Sequence, residues 1–121
     1  MTHNDSFVGL GLCYFHFSNF LWAKKAFLEV LYREPEFHCA SEVHARLGLT
    51  LKYLGLLNWA QMHLNWALEN SSGIPTDDFR GPITKAEIKF HLGHVSELQN
   101  KHKEAKDFYE KGKHKQHSIG K

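Results

Sequence analysis

Residues 7–33 read FVGLGLCYFHFSNFLWAKKAFLEVLYR, and the placing of small and large apolar side chains in this run decides the fold. Leu10-Gly11 sits in a first apolar stretch, and Ser18-Asn19 interrupts that stretch with turn-forming residues. Phe20, Ala23, Phe27, Val30 and Leu31 then recur at three- and four-residue steps, the mark of one apolar helix face. Glu34-Pro35 ends this helix, because the residue before a proline is driven out of helical geometry. The reading is one helix from an Asp5-Ser6 cap to about Phe17 and a second from Phe20 to about Arg33.

The unit returns twice. Leu47-Gly48 and Leu92-Gly93 repeat Leu10-Gly11, and Ala60 and Ala105 stand at the same distance from their glycines as Ala23 does from Gly11. Four residues after each alanine comes a large group, Phe27, Leu64 or Tyr109, and three further on a smaller one, Val30, Ala67 or Gly112. Small residues where two helices cross let the backbones approach, and the large group is expected to fill the gap against the next unit. The spacing between the glycines lengthens along the chain, the extra residues falling before the third helix and in a linker.

Working outward, a third helix is expected from about Phe37 to Tyr53, with Val43, Leu47 and Leu51 on one stripe and Gly55 as its breaker. A fourth runs from Leu57 to Glu69, with Ala60, Leu64, Ala67 and Leu68 facing inward. Asn70 to Pro82 is rich in Ser, Gly and Pro and reads as a linker. Thr84 and Glu87 form a capping box that opens a fifth helix to about Leu98. A sixth runs from Lys101 to Lys111, where Gly112 ends it. The expected fold is all-α, an α-solenoid of about three tetratricopeptide helix-turn-helix repeats. Residues 5–36 make repeat 1, 37–72 repeat 2, 73–82 the linker, 83–112 repeat 3 and 113–121 a disordered basic tail.

Composition agrees with a packed helical domain: 121 residues, 42% hydrophobic, 23% charged and 13% aromatic. The formal charge of +2 is unevenly spread, with seven lysines against three acids from Lys101 onward. A solvated last helix explains this, so nucleic acid is not an expected partner. Phe7 to Ala23 lacks Asp, Glu, Lys and Arg, yet His16, Ser18 and Asn19 interrupt it and it is short for a membrane span. It reads as a buried helix and a turn, with Cys13 a buried thiol and no membrane partner. Cys13 and Cys39 form no CxxC pair, which fits a reducing compartment.

No catalytic residues are expected. Gly9-Leu-Gly11 has Tyr14 where a dinucleotide loop needs a third glycine, and neither cysteine has a base placed by a recognisable motif. His91, His94 and Glu97 share a helix face but lack a fourth ligand of suitable spacing, so no metal site and no cofactor are assigned to this chain. The first helix of each pair is expected to line a partner-binding groove. By position this holds Leu12, Phe15 and His16, then Arg46, Leu49, Lys52 and Tyr53, then Phe90, His91, His94 and Glu97. Aromatic, basic and imidazole groups together suit a peptide segment of a protein partner, not a small-molecule substrate; the alternative is that they contact further repeats of a longer superhelix. Val8 and Leu12 stand where a chaperone-type carboxylate clamp would present Lys and Asn.

The run from Gly9-Leu-Gly11 through Tyr14-Phe-His16, then Trp22-Ala23-Lys-Lys-Ala-Phe27, resembles the repeat region of the UTX/UTY histone lysine demethylases. Glu42-Val-His44-Ala-Arg46-Leu-Gly48, Phe90-His91-Leu-Gly-His94 and Ala105-Lys-Asp-Phe-Tyr109-Glu110 extend that resemblance over most of Phe7 to Glu110. A looser likeness is to corepressor repeats, which share the Glu-x-x-x-Arg-Leu-Gly pattern but not the Phe-His-x-x-His run. The first resemblance implies a nuclear scaffold segment held in a histone-modifying complex, with that complex's subunits as partners. In that family the chemistry belongs to a separate jumonji domain using Fe(II) and 2-oxoglutarate, so the chain itself is not expected to be an enzyme. The alternatives are a corepressor-type transcriptional adaptor or the amino-terminal part of an active demethylase. The divergent 70–82 linker and the lysine-rich end imply a fragment, a truncated isoform or a degenerate copy.

Overall fold

The computed structural model describes residues 3–71 and 83–119, with side chains over 5–71 and 83–110. The chain is all-α in these residues. Its helices are α1 (His3–His16), α2 (Phe20–Arg33), α3 (Ala40–Tyr53), α4 (Leu57–Glu69) and α5 (Lys85–Ile119). The expected linker at 73–82 lies outside the described residues.

Three helix ends show why the chain turns where it does. After α1, the Asn19 N–H donates to the Tyr14 carbonyl at 2.8 Å and the Ser18 N–H to that of Phe15 at 2.9 Å. After α3, Leu56 donates to Leu51 at 2.9 Å and Gly55 to Lys52 at 3.0 Å. Both are Schellman closures, which need a left-handed residue: Gly55 supplies it at φ 79°, and Ser18 at φ 60°. At the start of α5 the expected capping box forms, with Glu87 N–H donating to Thr84 Oγ1 at 3.2 Å and Thr84 N–H to Glu87 Oε1 at 3.4 Å. α3 starts at Ala40 and not Phe37, because Phe37 N–H bonds to Glu34 and Ala40 N–H to Phe37 in successive turns beyond Pro35. Asp5 and Ser6 do not cap α1, which begins at His3 and carries Asp5 in its first turn.

α1 and α2 pack antiparallel, as do α3 and α4. The glycines explain how. A Cβ on Gly11 would lie 2.6 Å from Phe27, and one on Gly48 would lie 2.6 Å from Leu64 and 3.3 Å from the Ala60 carbonyl oxygen. Ala23, Phe27, Ala60 and Leu64 have no exposed surface. Phe27 and Leu64 therefore seat on the glycine of their own pair, and Phe27 also borders Val43 and Arg46 of α3, toward the next unit as expected. α3 then packs on α2, and α5 on α4, with Val30, Val43, Leu47, Ile83, Ile88 and Val95 completing one core.

The third unit departs from the pattern. No turn separates residues 98 and 101: α5 is one helix through Ile119, across the expected Gly112 stop and most of the residues expected to be an irregular tail. The segment has neither Gly nor Pro between His94 and Lys111, and Glu97 precedes Lys101 at the favourable i,i+4 spacing. Residues 101–110 are all exposed, Ala105 included, and a Cβ on Gly93 would meet nothing within 4 Å. α1 is also less covered than its composition suggests. Leu10 is 44% and Phe17 85% exposed, and Cys13 is exposed instead of buried, because α1 packs mainly on α2 and its other flank is open.

Candidate protein-binding face

The Ser18 turn brings the end of α1 against the start of α2, so Phe15 and Phe20 meet edge-on at 5.6 Å. Tyr53, the last residue of α3, stacks on Phe20 at 4.9 Å and 19° and lies 6.1 Å from Phe15. His16 flanks this cluster, with its ring 6.0 Å from Phe15. Next along α3, Lys52 is only 7% exposed; its Nζ lies 3.0 Å from His91 Nδ1 on α5 and 5.6 Å from the Tyr53 ring centre. Phe90 meets His91 edge-on at 5.3 Å and is 70% exposed. Side chains of α1, α3 and α5 thus form one band on one side of the molecule.

Burial pushes the Lys52 ammonium below its ordinary range. Burial, then the Lys52 charge, lowers His91 to about 4, against an opposing pull from Glu87. His91 is therefore neutral at pH 7, and the ammonium donates to its bare Nδ1.

Of the groove residues read from the sequence, Phe15, His16, Lys52, Tyr53, Phe90 and His91 are brought together. Leu12 and Arg46 lie apart from them, at a small recess between α1 and α3 with Val8, Phe27 and Cys39. Arg46 Nε is 4.0 Å from Glu42. Leu49 does not line the surface: it is 5% exposed and belongs to the core, because α3 is packed by α2 on one flank and α4 on another. His94 is half-buried near His91, and Glu97 is exposed further along α5. His91 directs Nδ1 at an ammonium, and among the described residues no group of three or more His, Cys, Asp or Glu is placed to hold a metal.

Two features escaped the sequence. Phe20 reads as an α2 core residue, although its place just after the Ser18-Asn19 turn is a sign that it neighbours Phe15. The other is a histidine pair. His44 Nδ1 and His63 Nδ1 are 2.8 Å apart, and His44 stacks on Trp66 at 3.8 Å. Burial and then His63 lower His44 to about 4, and burial also lowers His63. His44 lies one turn before Gly48 and His63 just after Ala60, so the glycine–alanine crossing already implied their meeting.

Two apolar recesses lie apart from this band. One of about 330 Å³ lies between α2 and α4, lined by Lys24, Leu28, Leu51, Leu56, Trp59 and His63. The other, about 240 Å³, lies on the open flank of α1 and α2 between Leu10, Tyr14 and Trp22. Among the described residues no helix is long and apolar enough to cross a membrane. No protein-family model matches the chain, and no solved structure matches it.

Proposed function

We propose that the chain is a tetratricopeptide-type scaffold segment that binds a segment of a partner protein along the α1–α3–α5 band. The observation that carries this reading is the band itself, a continuous aromatic, imidazole and cationic surface drawn from three helices far apart in sequence. Exposed aromatic groups such as Tyr53 and Phe90 next to a partly desolvated cation are the materials of a protein-binding hot spot. The engagement of His44 with His63 and of His91 with Lys52 favours binding over chemistry. With the resemblance to the UTX/UTY repeats, the partners are subunits of a nuclear histone-modifying complex. The corepressor alternative is supported by Glu42 and Arg46 of its Glu-x-x-x-Arg-Leu-Gly pattern, which lie 4.0 Å apart on α3.

The test is affinity capture from nuclear extract on the immobilised chain, read by quantitative mass spectrometry beside the Phe15→Ala/Tyr53→Ala double variant. Histone-modifying subunits captured by the wild type and depleted at least about tenfold by the variant support the reading, because a hot-spot truncation has that size of effect. Corepressor subunits depleted in their place favour the adaptor. Captured proteins that ignore the double variant remove the band as the binding face.

A further inference from the structure

The band has an unusual centre. Lys52 is more than nine-tenths covered, yet it takes part in neither the Arg33–Glu29 nor the Arg46–Glu42 ion pair. Among the described residues its hydrogen-bond partner is the neutral His91 ring, at 3.0 Å. A partly desolvated ammonium on a covered lysine gains from a carboxylate partner. The nearest acid on α5, Glu87, is tied into the capping box with Thr84. Glu97 is exposed further along α5, and Glu42 lies against Arg46 in the recess apart from the band.

The surroundings define what this cation can receive. Phe15, Phe20 and Tyr53 form an aromatic wall on the α1 side, and Phe90 stands exposed on the α5 side. Apolar surface therefore continues in both directions from the ammonium, so a bound chain passes across it instead of ending there.

Resting on the scaffold reading above, we propose that Lys52 receives the carboxylate of an internal Glu or Asp in the bound partner segment, with apolar residues of that segment on either side. The aromatic wall and Phe90 take the flanking side chains, and the ammonium, with His91 behind it, selects the acid. A charge-assisted hydrogen bond in this partly desolvated setting is strong enough to dominate the choice of sequence.

The experiment uses the full chain and two amidated, acetylated nonapeptide libraries with a fixed central Glu or a fixed central Gln and randomised flanks. A third library has central Gln and a free terminal carboxylate. Retention is read by mass spectrometry. The proposal expects Glu retained about tenfold or more over Gln, with enriched apolar neighbours on both sides. Lys52→Met brings that ratio to about one, Lys52→Arg restores part of it, and circular dichroism checks that each variant is folded. Should Lys52→Met not fold, the wild-type ratio must still fall between low and high salt, as a charge contact requires.

A Glu-to-Gln ratio near one, a ratio unchanged in Lys52→Met or preference for the free terminus alone overturns the proposal. If both libraries bind equally and Phe15→Ala/Tyr53→Ala abolishes both, the scaffold reading survives while the carboxylate inference fails. If neither is retained by any form of the chain, both fail.

Discussion

At the scale of single residues, three glycines in equivalent positions make a controlled comparison. At Gly48 an added methyl would press on the Leu64 branch point at 2.6 Å and on a backbone oxygen at 3.3 Å, neither of which yields easily. At Gly93 it would meet nothing within 4 Å. Gly48→Ala is expected to destabilise by about 1–3 kcal/mol through overpacking, less the helix-propensity gain. Gly93→Ala is expected to stabilise by about 0.5–1 kcal/mol from that gain alone. Urea denaturation of both variants decides it, and equal effects would contradict the open third unit. The histidines make a second prediction. His44 is held at about 4 against an ordinary 6.5, so protonation favours the unfolded chain. With Nδ1 facing Nδ1 at 2.8 Å, the pair shares one proton there, and a second sets two N–H groups head to head. His91, also at about 4, adds in the same direction. Stability is thus full above pH 6.5 and falls as pH drops from there toward 4. The urea midpoint should decline across that window, with a shallower slope in His44→Gln; a flat wild-type profile counts against the buried neutral pair.

At the scale of helices, what was legible in the sequence depended on how local the cause was. Pro35 and Gly55 end α2 and α3 by their own geometry, and Thr84 with Glu87 opens α5 by a contact three residues long. Each was readable without knowing the fold. The break expected between Leu98 and Lys101 had no such local cause, only the distant register of Ala105 and Tyr109 with Gly93. Strong helix formers across that junction favour continuation, and the structure continues. A consequence follows for the second half of α5. Phe108 and Tyr109 are 74% and 71% exposed, and every residue from 101 to 110 is exposed, so this arm adds little to the core. Ending the chain after Asn100 should shift the thermal midpoint by no more than about 4 °C, the effect of roughly 0.5 kcal/mol in a small domain. A fall of ten degrees or more would show the arm folded back on Gly93, as the repeat pattern had implied. Calorimetry of the two lengths separates these outcomes.

At the scale of the whole molecule, the order of stacking decides which apolar residues are core and which are surface, and sequence pattern alone cannot see that order. Leu49 read as groove-lining and Cys13 as buried; the structure reverses both, because α3 is flanked by helices on two sides while α1 is covered mainly by α2. For the same reason half of the expected groove converges, and Leu12, Arg46 and Leu49 do not join it. The clearest case is a pair of leucines with the same neighbour. Leu10 precedes Gly11 and Leu47 precedes Gly48, so the sequence pattern predicts them to be equivalent. Leu47 is fully buried within the stacked units, whereas Leu10 is 44% exposed beside the recess shared with Tyr14 and Trp22. Leu47→Ala removes a side chain from a close-packed seam and should cost about 2–5 kcal/mol. Leu10→Ala should cost under about 1 kcal/mol, since much of that side chain already faces water. Equilibrium urea unfolding of the two variants measures the difference. Equal large losses would mean that the α1 flank is covered in solution, by a further helix or a second copy, and that the stack does not begin at α1.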